Sequence, residues 1–591
     1  MFNSSTSYRT AWLGAAMLSL LAGGCATPFE SETGDSLRRS VLDSIREEMV
    51  ETAPRELHAE VEPIDLPEER LDKLNTMAGP NSYTEEDLPE MGLDLTGNIP
   101  EGVRISLSDA VNAAVKHNLR LQDVSFSPAL SAEQLAQAES VFDWVFFADA
   151  RWSALDEPQV GTSFGSGRAN VRDDLAFSAG FRKQLTTGGE LTFSQSETYS
   201  DINSPGVSFV PDPSNAVGFS ARIDQPLLRG FGREVTLAEV RLAENAERVA
   251  VQQLRDQLIS TVTETERAYW ELEAAYRTLQ VRQRLLARGE DVRRRIEARI
   301  DLDATPAAVF DARSQVEFRR AGMIRAMNNL RQASDALKIL MNDPAYPIES
   351  EVLLFPADAP TVSPVSLSYF DAVTTALERR PEIEQAILTI NDAAIRVAVA
   401  DNGRMPALNL AAQANFDGLA ENLGDALDDQ FSGDFASYIV SLTFEQAIGN
   451  RGPEAFYRQR QLERLRAMNT YRLAVQTVLL EVKTALRNLE TNYQLIEQTK
   501  IARLAATENL RTLEVQGETI RGFTPEFLDL QFTRQRALAD AELEEIRALA
   551  DYNIGLAEYY ASTGATLARR GLRVAPPTSE QLLNPSGAGA P

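Results

Sequence analysis

Cys25 is the one thiol in the chain. Alone it closes no disulfide, and it offers one ligand where thiolate metal sites need several. Histidine is as scarce: His58 and His117 are too few for an imidazole metal centre or a proton relay. The ten methionines are scattered, so no soft-metal pathway is written along the chain. Carboxylates are abundant, yet they stand in charged helical stretches, where pairs at useful distances arise by chance. Gly188-Gly189 lacks the lysine and the helix start of a phosphate loop. These residues argue for no catalysis, and no cofactor or metal is expected.

The surroundings of Cys25 suggest another chemistry. Arg9 is the only charge in the first 28 residues, and an apolar run from Ala11 to Leu21 follows it. That run is too short to span a bilayer and reads as a removable export signal. Ala22-Gly23-Gly24-Cys25 resembles the bacterial lipoprotein signal, with Leu21 one position further from the cysteine than the commonest pattern. The resemblance implies cleavage before Cys25, lipidation of its thiol and amine, and, since Ala26 is not an aspartate, the outer membrane. The net charge of −28 disfavours nucleic acid, whose phosphates demand a basic footprint. Past the signal no run of eighteen or more apolar residues occurs, so a bilayer crossing would need a closed β-barrel.

The elements that would position functional residues come in two similar sets. Ile105-Ser106-Leu107-Ser108-Asp109-Ala110-Val111 returns as Val365-Ser366-Leu367-Ser368, two further residues, then Asp371-Ala372-Val373. Leu272-Glu273-Ala274-Ala275-Tyr276 returns as Leu489-Glu490-Thr491-Asn492-Tyr493, and Thr305-Pro306 as Thr524-Pro525. Each set predicts a modest helix (108–142 and 368–402), strand segments, and a very long helix that turns back. Predicted strands are 145–153, 175–181, 190–195 and 217–223 in the first set, and 407–416 and 437–444 in the second. Residues 234–300 contain no proline and one glycine, Gly289. Their apolar positions, such as Leu254, Leu258, Val262 and Tyr269, form a narrow packing seam. The chain divides into a signal (1–24), an acidic Pro-rich tether (25–101), a first repeat (102–344), a linker (345–364), a second repeat (365–567) and a tail (568–591).

From Ile105 to Leu567 this order resembles the TolC-like outer-membrane efflux family. The resemblance rests on the repeat openings, the tip threonines and the strand exits at 226–232 and 444–452, which hold glycine and arginine before each long helix. It implies a mixed α and β fold of two repeats, with a homotrimer closing a β-barrel joined to a periplasmic α-helical barrel. It implies four strands per protomer. The Gly188-Gly189 hairpin either extends outside the membrane or adds strands; its tight turn between long loops fits the second option, and four barrel strands per protomer stay the expectation. Conduction without chemistry is the implied activity, with a periplasmic adaptor and an inner-membrane pump as partners. The helical tips, 299–309 and 519–528, would dock the adaptor or close the channel. Asp301, Asp303, Arg521 and Asp529 are candidates there because symmetry multiplies each charge threefold around a narrow opening. Asp311 has the family's spacing past Thr305. Past Thr524 the matching places hold Phe527 and Leu530, and Asp529 is the nearest carboxylate. A type I protein-secretion duct and a non-conducting coiled-coil tether are the alternative functions. Cargo is not legible.

Overall fold

The computed structural model describes residues 91–158, 169–203, 210–301, 304–517 and 524–583, with shorter segments between 36 and 89. The signal, Cys25, Asp303 and Arg521 lie outside the described residues. In chain order the elements begin with β1 (Arg55–Glu56), α1 (Glu68–Met77), β2 (Gly102–Ile105), α2 (Leu107–His117) and α3 (Leu119–Glu139). Then come β3 (Trp144–Pro158), β4 (Ala169–Gln184), β5 (Glu190–Asn203), β6 (Ser214–Pro226), α4 (Ala238–Glu297) and α5 (Pro306–Met341). The second half holds β7 (Leu353–Pro356), β8 (Ser366–Leu367), α6 (Tyr369–Arg379), α7 (Pro381–Asn402), β9 (Ala407–Ala420), α8 (Leu423–Ser432), β10 (Ala436–Glu445), α9 (Arg451–Gln516) and α10 (Pro525–Ser562).

The duplicated opening motif is a helix cap. Ser106 accepts the Asp109 amide at 3.1 Å to start α2, and Ser368 accepts the Asp371 amide at 3.2 Å to start α6. Each cap satisfies an amide that the first turn leaves without a helical partner. The serine-to-aspartate spacing is three in both places, so the two inserted residues precede the cap rather than interrupt it.

The helices form a layer one helix thick. Near the sheet its order is α3–α4–α7–α9; further along, α5 and α10 replace α3 and α7, giving α5–α4–α10–α9. Helix α4 has 60 residues and α9 has 66, about 90 and 100 Å at 1.5 Å per residue. Where the layers meet, β2 pairs in parallel with β7 and β1 antiparallel with β8. Buried Tyr269 accepts the Ala357 and Asp358 amides there.

The six long strands form one antiparallel sheet ordered β10–β9–β6–β5–β4–β3. The Gly188-Gly189 hairpin is therefore part of this sheet, which has six strands where the resemblance implied four. Its turn is tight: Leu185 N donates to Gly189 O at 2.7 Å. Gly188 has φ +92°, and a Cβ there would lie 2.1 Å from the Gly230 carbonyl. Only glycine fits so close a backbone approach. Gly232 N also donates to Thr187 O, so the turn is fixed against the exit from β6.

Part of the N-terminal segment read as a tether lies on the helices as a strap. Arg503 of α9, fully buried, donates to Ala78 O at 2.7 Å, Asn75 Oδ1 at 3.0 Å and Glu545 Oε2 at 2.6 Å. Arg284 donates to Ser82 Oγ and Glu542, and Arg70 pairs with Glu508. Arg511 also donates to Glu508, and the bonds from Arg511 and Arg70 hold the Glu508 carboxyl down at about 2.

Candidate conduit

The two faces of the six-stranded sheet differ in chemistry. Register places Asp149, Ser178, Ser196 and Gly218 in a row on one face, with Arg222, Gln413 and Ile439 in another row of the same face. Arg172 and Asp174 pair on this polar face, where Ser200 donates to Asp174. The opposite face carries Trp144, Phe146, Phe177, Phe181, Phe193, Tyr438, Val440, Leu442 and Phe444. Trp152 and Val440 are 72% and 74% exposed on it. Predominant alternation of this kind, with Phe147 and Ile439 as exceptions on the polar face and Glu197 and Gln195 on the apolar one, is how a barrel strand meets a polar lumen and lipid at once. Aromatic residues also cluster at the two ends of the apolar face. Trp144 and Phe193 lie at 6.3 Å and Phe146 and Phe181 at 5.3 Å near the helical end, with Trp152 and Tyr199 towards the other. Eight residues separate Trp144 from Trp152. At about 3.4 Å per residue and about 40° tilt they span roughly 21 Å, close to the apolar band of an outer-membrane barrel. A polar side chain on this face, Gln195, is paired with Gln430 of α8 at 3.0 Å, and α8 covers it.

The strand ends Pro158, Ala169, Asn203, Ser214, Ala420 and Ala436 lie away from the helices, whereas the helical end has the five-residue turn Leu185–Gly189. The sheet is open among the described residues: β3 and β10 each pair on one side only.

At the far end of the helical layer the two tips pack together. Val292, Ile296, Val309 and Ala312 of the first hairpin share a buried cluster with Leu513, Phe527, Leu528 and Phe532 of the second. Thr305 caps α5 by accepting the Ala308 amide at 3.3 Å, and Thr524 caps α10 by accepting the Phe527 amide at 3.3 Å. Each threonine precedes a proline at the first helical position, a pairing suited to a sharp helix start. Asp301, Asp311 and Asp529 are exposed around this cluster. The structure thus brings both tips together, with the threonines as caps and the aspartates as surface charges.

A clasp that the sequence does not announce lies above the tips. Arg319 of α5 is buried and donates to Leu285 O at 2.8 Å, Gln535 Oε1 at 2.9 Å and Phe532 O at 3.1 Å. Burial, then Arg288 and Arg536, lower its pKa to about 10. Gly289 admits it, since a Cβ there would meet Arg319 Nη1 at 2.7 Å. The signal was available: Ala312, Val316, Arg319, Met323, Ala326 and Leu330 repeat at four and three, and Arg319 stands in that apolar seam.

A two-faced sheet set on a layer of long helices has counterparts among solved structures. The chain resembles the CmeC outer membrane channel of Campylobacter jejuni, at 14% identity and TM-score 0.56, over 83% of this chain and 94% of that one. The fold is that of outer-membrane channels. The open state of the MtrE outer membrane channel of Neisseria gonorrhoeae matches at 18% identity and TM-score 0.55, over 78% and 89% of the two chains. VceC, an outer membrane protein of Vibrio cholerae, matches at 13% identity and TM-score 0.55, over 78% and 96%. No family model and no curated protein sequence matches the chain. At these identities the likeness establishes the channel fold alone.

Proposed function

We propose that this protein is the outer-membrane duct of an export system. One observation supports the reading above all: a sheet with one polar and one apolar face continues directly into a helical layer too long for a globular core. In this reading three copies close the sheet edges into a barrel, since lipid leaves no water to satisfy the open sides of β3 and β10. The polar face lines the lumen and the helical layers close into a periplasmic tunnel. No step of the transport is catalytic. A periplasmic adaptor meets the tips and an inner-membrane pump supplies small toxic compounds. A coiled-coil tether would have no use for an apolar sheet face with aromatic ends.

Cys25 is assigned the lipid anchor. Cells fed a labelled fatty acid should yield labelled protein, and Cys25→Ser should lose the label; label retained on the variant would remove the assignment.

Within the tips, Asp301, Asp303, Asp311, Arg521 and Asp529 are assigned the closing constriction or the adaptor contact, on helix ends held by the Thr305 and Thr524 caps. Charges repeated by symmetry around a narrow opening are weakly screened and interact strongly. Replacing Asp529 and Arg521 together with alanine should raise the resting conductance of the purified protein in planar bilayers severalfold. A closed trace identical to that of the parent would defeat the gate assignment.

A further inference from the structure

We propose that all six strands stand in the barrel wall, so that each copy's sheet is as wide as its own helical layer. The inference rests on the duct reading and sharpens it, giving a conduit of nearly constant bore. Both near the sheet and towards the tips the chain lays four helices side by side, which occupy about 32–40 Å at 8–10 Å per helix. Strands about 4.8 Å apart, tilted about 40°, each take about 6.3 Å of circumference. Six strands then occupy about 38 Å, matching the helices, whereas four would occupy about 25 Å.

Topology places the added width where the two layers would otherwise diverge. Helix α3 leads into β3 and β6 leads into α4, and these two helices are neighbours. The hairpin of β4 and β5 sits between β3 and β6, and its turn is bonded to the β6 exit through Thr187 O and Gly232 N. Its side chains follow the wall's alternation. Leu175, Phe177, Phe181 and Phe193 continue the apolar face, and Ser178, Ser194 and Ser196 the polar one. A hairpin that left the membrane would need no such register. Three copies would give eighteen strands and a backbone diameter of about 36 Å, against about 24 Å for twelve strands.

Cysteine pairing and imaging separate the possibilities. Ser441→Cys on β10 is combined in turn with Phe147→Cys, Asp149→Cys or Arg151→Cys on β3, and oxidised protein is run on non-reducing gels. Asp149→Cys with Ser220→Cys tests contact of β3 with β6 inside one chain. The unaltered protein is imaged for barrel diameter. The expected result is a ladder of linked chains from at least one β3–β10 pair, no β3–β6 link, and a barrel near 36 Å. A ladder with a β3–β6 link and a barrel near 24 Å would overturn the six-strand wall while leaving the duct intact. Neither ladder nor ring would overturn both, and the image of the unaltered protein decides even where a variant fails to fold.

Discussion

Arg503→Met should release the N-terminal strap and cost about 3–5 kcal/mol, the usual penalty for stranding one partner of a buried ion pair. The guanidinium is fully buried and reaches three places at once: the Ala78 carbonyl, the Asn75 amide oxygen and the Glu545 carboxylate. Methionine fills much of the volume but leaves Glu545 charged, buried and without that partner. Burial already pushes the Glu545 carboxyl above its ordinary range, against the pull of Arg503. Without the arginine it rises further, which gives the loss a pH dependence of known sign. A carboxyl whose folded pKa exceeds its unfolded value weakens the fold above the unfolded value, fully so once pH passes the folded one. The deficit of Arg503→Met should therefore shrink at pH 5 relative to pH 8. Protease cleavage near residues 75–82 and the thermal midpoint are the measurements. Arg503→Met combined with Glu545→Leu should recover much of the loss, because a matched apolar pair replaces a buried ion pair at little cost. No difference between single and double variants would mean that the pair does not hold the strap.

A charge on the apolar face of β10 should be the other large effect. Val440→Arg should lower folding stability in lipid by about 2–4 kcal/mol, as for arginine near the midplane of an outer-membrane barrel. Ser441→Arg, one residue on, should fold nearly as well as the parent because it joins the face of Gln413 and Arg222. Urea titration of protein refolded into vesicles reads both variants. Equal losses, or a larger loss at Ser441, would reverse or abolish the assignment of faces.

The long helices and strands were legible because their periods differ sharply. The seam repeats at three and four along helices of 60 and 66 residues, and the strands alternate polar and apolar. The strand segments are legible, but the strands run longer than their alternating cores. β4 runs to sixteen residues because Arg172 and Asp174 neutralise each other on the polar face, where a window count sees only charge. The count of six strands is not legible in the sequence, because a turn such as Gly188-Gly189 states that two strands pair, not which sheet they join. That answer lies in the approach of Gly188 to Gly230, between residues more than forty positions apart. The strap was illegible for a related reason. Its segment is acidic and Pro-rich, and what holds it are arginines on α4 and α9 over two hundred residues away. At the tips, the threonine-proline pairs were found and their role as caps follows from geometry, whereas Arg319 and Arg503 read as solvated charges unless the seam is followed through them.

Electron cryo-microscopy of the full-length protein in detergent tests the central claim most directly. The account predicts a three-fold hollow particle, a closed β-barrel continued by a helical tunnel about 100 Å long, with polar rows such as Asp149, Ser178 and Ser196 facing the lumen. Single chains with an open sheet, or slender rods without an axis of symmetry, would contradict it.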